Sequence, residues 1–430
     1  MSVFRVVATL IAVSSLSGPA LAVLMSPQGT ADIPSAASSP MAQRYEAGML
    51  ALTRKDLAAA EAAFKDAAKL DPASPLPLIG LADVAAQRKQ PDQAWSLLQQ
   101  AARVAPQSGL PAHAMGRFHY NEKAYAKAEQ AFKKALEFSP DNALFNLDLA
   151  DLYANSLKKP DASLVYYRKV IRQQPKHAGA HHGLGMVLWK MGQTAEAEAS
   201  LRRAASLAPG NPMSLQALGK LLEGQGKTDA ALTAYQDALK AQPDFVPALM
   251  GQGDVYLGQG NFKQALTAYQ QAVKLMPKYD LAHLKAGMAL QGLNRVKEAE
   301  GAYKQAIALS PNLALGYNNL AWLAADTRTN LVQAEQWAKK AVELAPDIAD
   351  FHDTLGWVYR AQSRFAEAEN ALKKAVQIQP SAPFHYHLGV VYQDQGKTRE
   401  AAAAFEKSLA IQKDFAPSQR ALGTLKNGKK

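Results

Sequence analysis

The chain has 430 residues, no cysteine, 48% hydrophobic residues and a formal net charge of +11. The lack of cysteine excludes disulfides, thiolate metal sites and cysteine nucleophiles. Aromatic residues at 8% and charged residues at 20% are the values of an ordinary globular protein, while the basic balance admits nucleic acid, acidic polysaccharide or an anionic membrane as partners.

In chain order, residues 1–22 read as a secretory signal. Arg5 supplies the positive start, Val6 to Leu16 the apolar stretch, Gly18-Pro19 the break, and Ala20-Leu21-Ala22 the cleavage site. Val23 follows, so no lipoprotein cysteine is present. No later segment approaches the ~18 uninterrupted apolar residues of a spanning helix. The mature chain is therefore expected to be soluble, exported and most simply periplasmic, with a charge of +10 once Arg5 is removed. Residues 23–40, rich in Ser, Pro, Ala and Gly, read as a flexible leader.

From Met41 a periodic pattern begins. Prolines stand at 72, 106, 140, 175, 209, 243, 277, 311, 346 and 380, with seven gaps of 34 residues and two of 35. A period of this length is the signature of a helical solenoid, in which each unit buries its apolar face only against its neighbours. A ladder accompanies each proline. It reads Gly48, Ala60, Phe64, Ala67, Pro72 in the first unit and Gly253, Ala265, Tyr269, Ala272, Pro277 further on. Small residues let two antiparallel helices approach, the aromatic fills the space between units, and proline ends the second helix. Turn words such as Gly224-Gln225-Gly226-Lys227 and Gly258-Gln259-Gly260-Asn261 separate the helices. Two units carry one extra residue between their helices, near 157–161 and 327–330, and Lys413 stands where the last proline would fall.

These residues resemble the tetratricopeptide repeat (TPR) family. The resemblance covers 41–415 as about 11 units, with 416–426 as a capping helix and 427–430 as a basic tail. It implies an all-α, right-handed superhelical solenoid of antiparallel helix pairs. It also implies that first helices line a concave groove in which a partner protein binds. The residue after each ladder Gly or Ala then forms a stripe: Met49, Asp83, Arg117, Asp151, Met186, Lys220, Asp254, Met288, Trp322, Trp357, Val390. The stripe turns from charged to apolar near Met288. Asn318, Asn319, Asp353, Tyr386 and His387 are expected beside Trp322 and Trp357, and Met186 with Trp189 makes a second patch. Tryptophan is enriched at binding hot spots, but it equally serves inter-repeat packing. The segments NNLAW, ELAPDIADFHDTLGWVY and FHYHLGVVY resemble TPR proteins of the bacterial cell envelope, including scaffolds of exopolysaccharide assembly and export.

Other chemistries find no support in the residues. HExxH, Walker and G-x-S-x-G motifs are missing. His177 with His181, and His385 with His387, lack a third ligand, so neither a metal nor another cofactor is expected. No three consecutive units carry the Lys and Asn set of the TPR clamp for acidic chaperone tails. Lysines and arginines fall late in the second helices, where they favour the helix dipole and stay solvated. The residues thus describe a non-enzymatic protein-binding scaffold without a nucleic-acid partner, with direct binding of an anionic polysaccharide as the alternative.

Overall fold

The computed structural model describes residues 39–427, with side chains to 425. The expected signal, the leader up to residue 38 and residues 428–430 lie outside the described residues. Within them the chain forms 23 α-helices and no strand, as an all-α solenoid of paired helices requires. Two compact units divide between Gln225 and Gly226. The first runs through the pairs Pro40–Thr53 and Leu57–Leu70, Leu76–Gln87 and Pro91–Val104, Gly109–Asn121 and Tyr125–Phe138, Ala143–Asp151 and Pro160–Gln173, Ala178–Lys190 and Thr194–Leu207, to Pro212–Gly224. The second starts at Thr228–Ala241. It continues through Val246–Gly258 and Phe262–Leu275, Asp280–Gly292 and Val296–Leu309, Ala314–Thr327 and Leu331–Leu344, Ala349–Ala361 and Phe365–Ile378, Ala382–Asp394 and Thr398–Ile411, and closes on the single helix Ala416–Asn427. Within each unit a helix packs on the next one, and consecutive first helices touch.

The ladder explains this packing atom by atom. Ala60, Phe64 and Ala67 are fully buried, as are Ala265, Tyr269 and Ala272. The Phe64 ring is gripped from two repeats. A Cβ on Gly48 would stand 2.5 Å from it, and one on Gly80, in the next repeat, 2.6 Å. Glycine is therefore required on both sides of one ring.

The turn inside a repeat closes by a Schellman motif. At Lys89 the amide donates to the Ala86 carbonyl at 3.0 Å, and Gln90 N–H reaches back to Ala85 O at 2.9 Å. Gly192 and Gln193 repeat the pattern on Trp189 and Leu188. The motif needs a left-handed residue. The chain supplies glycine at 192 (φ 77°) but lysine at 89 (φ 60°). The two inserted residues are absorbed differently. In the fourth repeat the first helix ends in a π turn, Leu152–Ser156, a common way to accommodate one extra residue. In the ninth, the helix runs to Thr327 and the turn carries two left-handed residues, Arg328 and Asn330.

The prolines have a second function. The carbonyl of each lies beyond a helix end, and in several repeats the side chain six residues on donates to it. His181 Nε2 reaches Pro175 O at 3.0 Å, His283 reaches Pro277 O at 2.9 Å and His352 reaches Pro346 O at 2.8 Å. Gln419 does the same to Lys413 O at 2.9 Å, where the proline is replaced. His181 is thus engaged at Nε2, and the Nδ1 of His177 accepts from Ala180 N–H at 3.0 Å.

The late basic residues also form ion pairs. Lys65, Lys133, Lys304, Lys339 and Lys373 each pair with the glutamate four residues earlier. A cation of the following turn joins several of these glutamates: Arg88 at Glu61, Lys159 at Glu129, Lys397 at Glu369. The late lysines stay more than half exposed, as expected, while their glutamates link some neighbouring repeats. Among the described residues, no helix is long and apolar enough to cross a membrane.

Candidate functional site

In the C-terminal unit, Trp322 on Ala314–Thr327 and Trp357 on Ala349–Ala361 occupy equivalent positions of successive first helices. Their rings stack at 6.0 Å between centroids with 14° between planes. His387, on Ala382–Asp394, packs against both rings, 4.4 Å from Trp357 and 5.8 Å from Trp322, and is tilted 35° and 37° to them. All three side chains are half-buried. His387 is largely enclosed, with its side chain 12% exposed.

A buried carboxylate fixes the row. Asp353, 5% exposed, accepts from His387 Nδ1 at 2.8 and 2.9 Å. That bond sets the imidazole plane against Trp357. One turn earlier, burial and then the charge of Asp353 push the Asp350 carboxyl above its ordinary value. Arg360 closes the other side: its guanidinium lies 4.5 Å from the Trp357 ring and donates to Asp394 Oδ2 at 2.6 Å. A cation over an aromatic face is attracted by the ring quadrupole, so Arg360 helps to hold the Trp357 ring in place. Tyr386 leans on His387 at 5.7 Å, yet also packs against Phe405 and Phe415. It bridges the row to the inter-repeat core.

The remaining expected residues are placed differently. Asn318 is buried and its Oδ1 has no hydrogen-bond partner; its Nδ2 lies 3.5 Å from Asn319 Oδ1. Met288 is only 9% exposed and packs with Leu284, Leu290 and Tyr303. It belongs to the core, because here the stripe position turns toward the neighbouring helix. Met186 and Trp189 share the helix Ala178–Lys190 in the N-terminal unit, both half-buried. His385 is buried, and burial first, then Lys407, holds its pKa below the ordinary value. Arg360 was missing from the expected set, although its place three residues after Trp357 puts it on the same helix face.

The charged part of the stripe forms its own contacts. Asp254 accepts from Lys285 Nζ at 2.5 Å and from the Tyr269 hydroxyl at 2.7 Å. Asp151 accepts from the Tyr167 hydroxyl; burial, eased by that bond and reinforced by the charge of Asp148, pushes its pKa up to about 7. Asp148 itself forms a buried pair with His113 at 2.7 Å. Burial also raises Asp83, with Arg117 and His113 acting in the opposite sense.

Models of the tetratricopeptide repeat match residues 51–117, 112–142, 176–244, 217–280, 284–347 and 354–417. Protein bimA of Emericella nidulans is 32% identical over 110 residues, a stretch that is 25% of this chain and 13% of that protein. The chain therefore matches only a small part of that relative's length. Among solved structures, the APC/C hetero-tetramer Cut9-Hcn1 superposes with a TM-score of 0.50 at 16% identity, over 90% of this chain and 97% of that one. A tetratricopeptide repeat protein from Parabacteroides merdae ATCC 43184 gives 0.49 at 20% identity, over 60% of this chain and 98% of that one. At such identities the likeness to solved structures is one of fold. The family models span most of the ladder seen in the helices, and the chain belongs to the tetratricopeptide repeat family.

Proposed function

We propose that this chain is an exported, non-enzymatic scaffold of the bacterial cell envelope. It holds an extended segment of a partner protein against the first-helix face at Trp322, Trp357 and His387, within an export or polysaccharide-assembly system. The observation that carries the reading is the row itself. Two stacked tryptophans and a tilted histidine are held together by Asp353 and Arg360, and the tryptophans are only partly buried. A rigid aromatic surface with its polar supports already satisfied loses little entropy on binding. The tetratricopeptide fold is typically one of protein–protein interaction, and Cut9 is itself recorded in a complex. The signal-like start at Arg5 to Ala22 supports export.

Direct binding of an anionic polysaccharide draws on the net charge of +11, although several exposed lysines already pair with a glutamate on their own helix. Salt distinguishes the two ligands. Capture from an envelope extract by the mature chain is expected to persist from 0.05 to about 0.5 M salt, since exposed charge attraction is screened within ~10 Å at 0.1 M. Release of a carbohydrate ligand over that range, with no protein retained, would replace the scaffold reading by the polysaccharide one.

A further inference from the structure

The repeats permit a comparison of the chain with itself. Asp254 follows the ladder glycine of its repeat, Tyr269 is the aromatic of the same repeat, and Lys285 lies two residues before the next ladder glycine, Gly287. The ammonium of Lys285 sits 2.5 Å from both Asp254 oxygens while the Tyr269 hydroxyl donates to Oδ1. Asp151 and Tyr167 hold the same two register positions in the fourth repeat and make the same hydroxyl–carboxylate bond. The position equivalent to Lys285 is Gly183, two residues before Gly185. The lysine is thus missing from an arrangement that shares the hydroxyl–carboxylate bond, the Tyr167 ring lying against Gly183 where the Tyr269 ring lies against Gly253.

Nothing else replaces it. No ion pair forms on Asp151, and no cation acts on the carboxyl; the charge that reaches it is the repulsive one of Asp148. Nor does the backbone leave room for a side chain from residue 183 itself, since a Cβ there would lie 2.6 Å from the Tyr167 hydroxyl oxygen. Asp151 as a residue is partly buried. A carboxylate removed from water without a cation is costly, and the same chain shows which group this geometry accepts.

We propose that Asp151 and Tyr167 form a binding site for a primary ammonium on a flexible stem, the lysine side chain of a bound segment, which takes the place over Asp151 that Lys285 takes over Asp254. The site lies in the N-terminal unit and stands independently of the tryptophan row. Glycine at 183 leaves room for the Tyr167 ring, whose hydroxyl holds Asp151 Oδ1 and leaves Oδ2 for the incoming cation.

The test uses the mature chain labelled with ¹³C at aspartate carboxyls, titrated with three probes: acetyl-Gly-Lys-Gly-amide, the same peptide with Nε-acetyl-lysine, and n-butylamine. The lysine peptide is expected to shift the Asp151 carboxyl saturably, at least tenfold more tightly than the acetylated peptide, and Asp151→Asn is expected to abolish the response. Lys285→Ala should add a second responding carboxyl, Asp254, in a repeat untouched by the first variant. A tenfold preference for the lysine peptide over n-butylamine assigns the ammonium to a polypeptide, and a smaller one to a free amine; both retain the site. The proposal is overturned if Asp151 shows no saturable shift, or if the acetylated peptide shifts it equally well, whatever Lys285→Ala does.

Discussion

Glu129 shows how single residues tie neighbouring repeats together. Its carboxylate accepts from Lys133 at 2.7 Å on its own helix, from Lys159 at 3.0 Å in the turn of the following repeat, and from Tyr153 at 2.9 Å. Burial opposes ionisation, but these hydrogen bonds outweigh it and hold the carboxyl at about 2. Glu369 repeats the arrangement with Lys373, Lys397 and Gln395 and is likewise held at about 2. Both pKa values lie below the unfolded value of ~4.3. Their contribution to stability is therefore complete above that pH and is lost as pH falls toward 2. Thermal melts across this range should show a falling midpoint, and Glu129→Gln together with Glu369→Gln should flatten the slope. A slope unchanged by the double variant would remove these glutamates as its cause. Packing offers a second residue-level test. Alanine at Gly48 gains about 1 kcal/mol of helix propensity, but its Cβ meets the Phe64 ring, and overpacking costs about 1–3 kcal/mol. A net loss near 1 kcal/mol is expected in a denaturant melt, and it should vanish on a Phe64→Leu background. At this scale the sequence was only partly readable. The ladder residues are buried where the spacing put them, because small and aromatic side chains at fixed intervals admit one packing. Met288 broke the pattern by turning into the core, and Arg360 and the Asp353–His387 bond depend on side-chain directions that spacing does not encode.

Helices and turns follow rules of their own. Every turn named above closes on a left-handed residue, and the chain pays the backbone cost of a Cβ there at Lys89 but not at Gly192. A non-glycine residue in this conformation costs about 1–2 kcal/mol, partly offset by the greater freedom of glycine when unfolded. Lys89→Gly should stabilise the protein by about 0.5–1 kcal/mol, and Gly192→Ala should destabilise it by about 1 kcal/mol, with no neighbour within 4 Å of the new methyl to confuse the result. Urea denaturation of the two variants gives the signs directly, and equal signs would contradict the turn account. The position of the inserted residues was visible as a gap of 35 between prolines. Their form was not: one became a π turn and the other a longer helix with two left-handed residues. The choice rests on which backbone groups find partners locally, as where Lys159 N–H reaches Tyr153 O at 2.9 Å.

For the whole molecule, a fixed period gave the fold class and the family without any single residue being decisive, since each repeat is stabilised by the next. Function does not follow from that regularity. It rests on where the repeats differ, and the largest difference on the first-helix face is the change from Asp254 and its lysine to the stacked tryptophans. Some of the cations join repeat to repeat through shared glutamates, as at Glu61, Glu129 and Glu369, while the net excess of positive charge remains. The most direct measurement is therefore the affinity of residues 23–430 for the proposed protein partner, compared with the Trp322→Ala/Trp357→Ala variant, with far-ultraviolet circular dichroism recorded on both. Truncation of hot-spot tryptophans costs at least about 2 kcal/mol, so the account predicts a loss of tenfold or more with an unchanged helical spectrum. Undiminished affinity in a folded double variant would show that the tryptophan row serves packing alone.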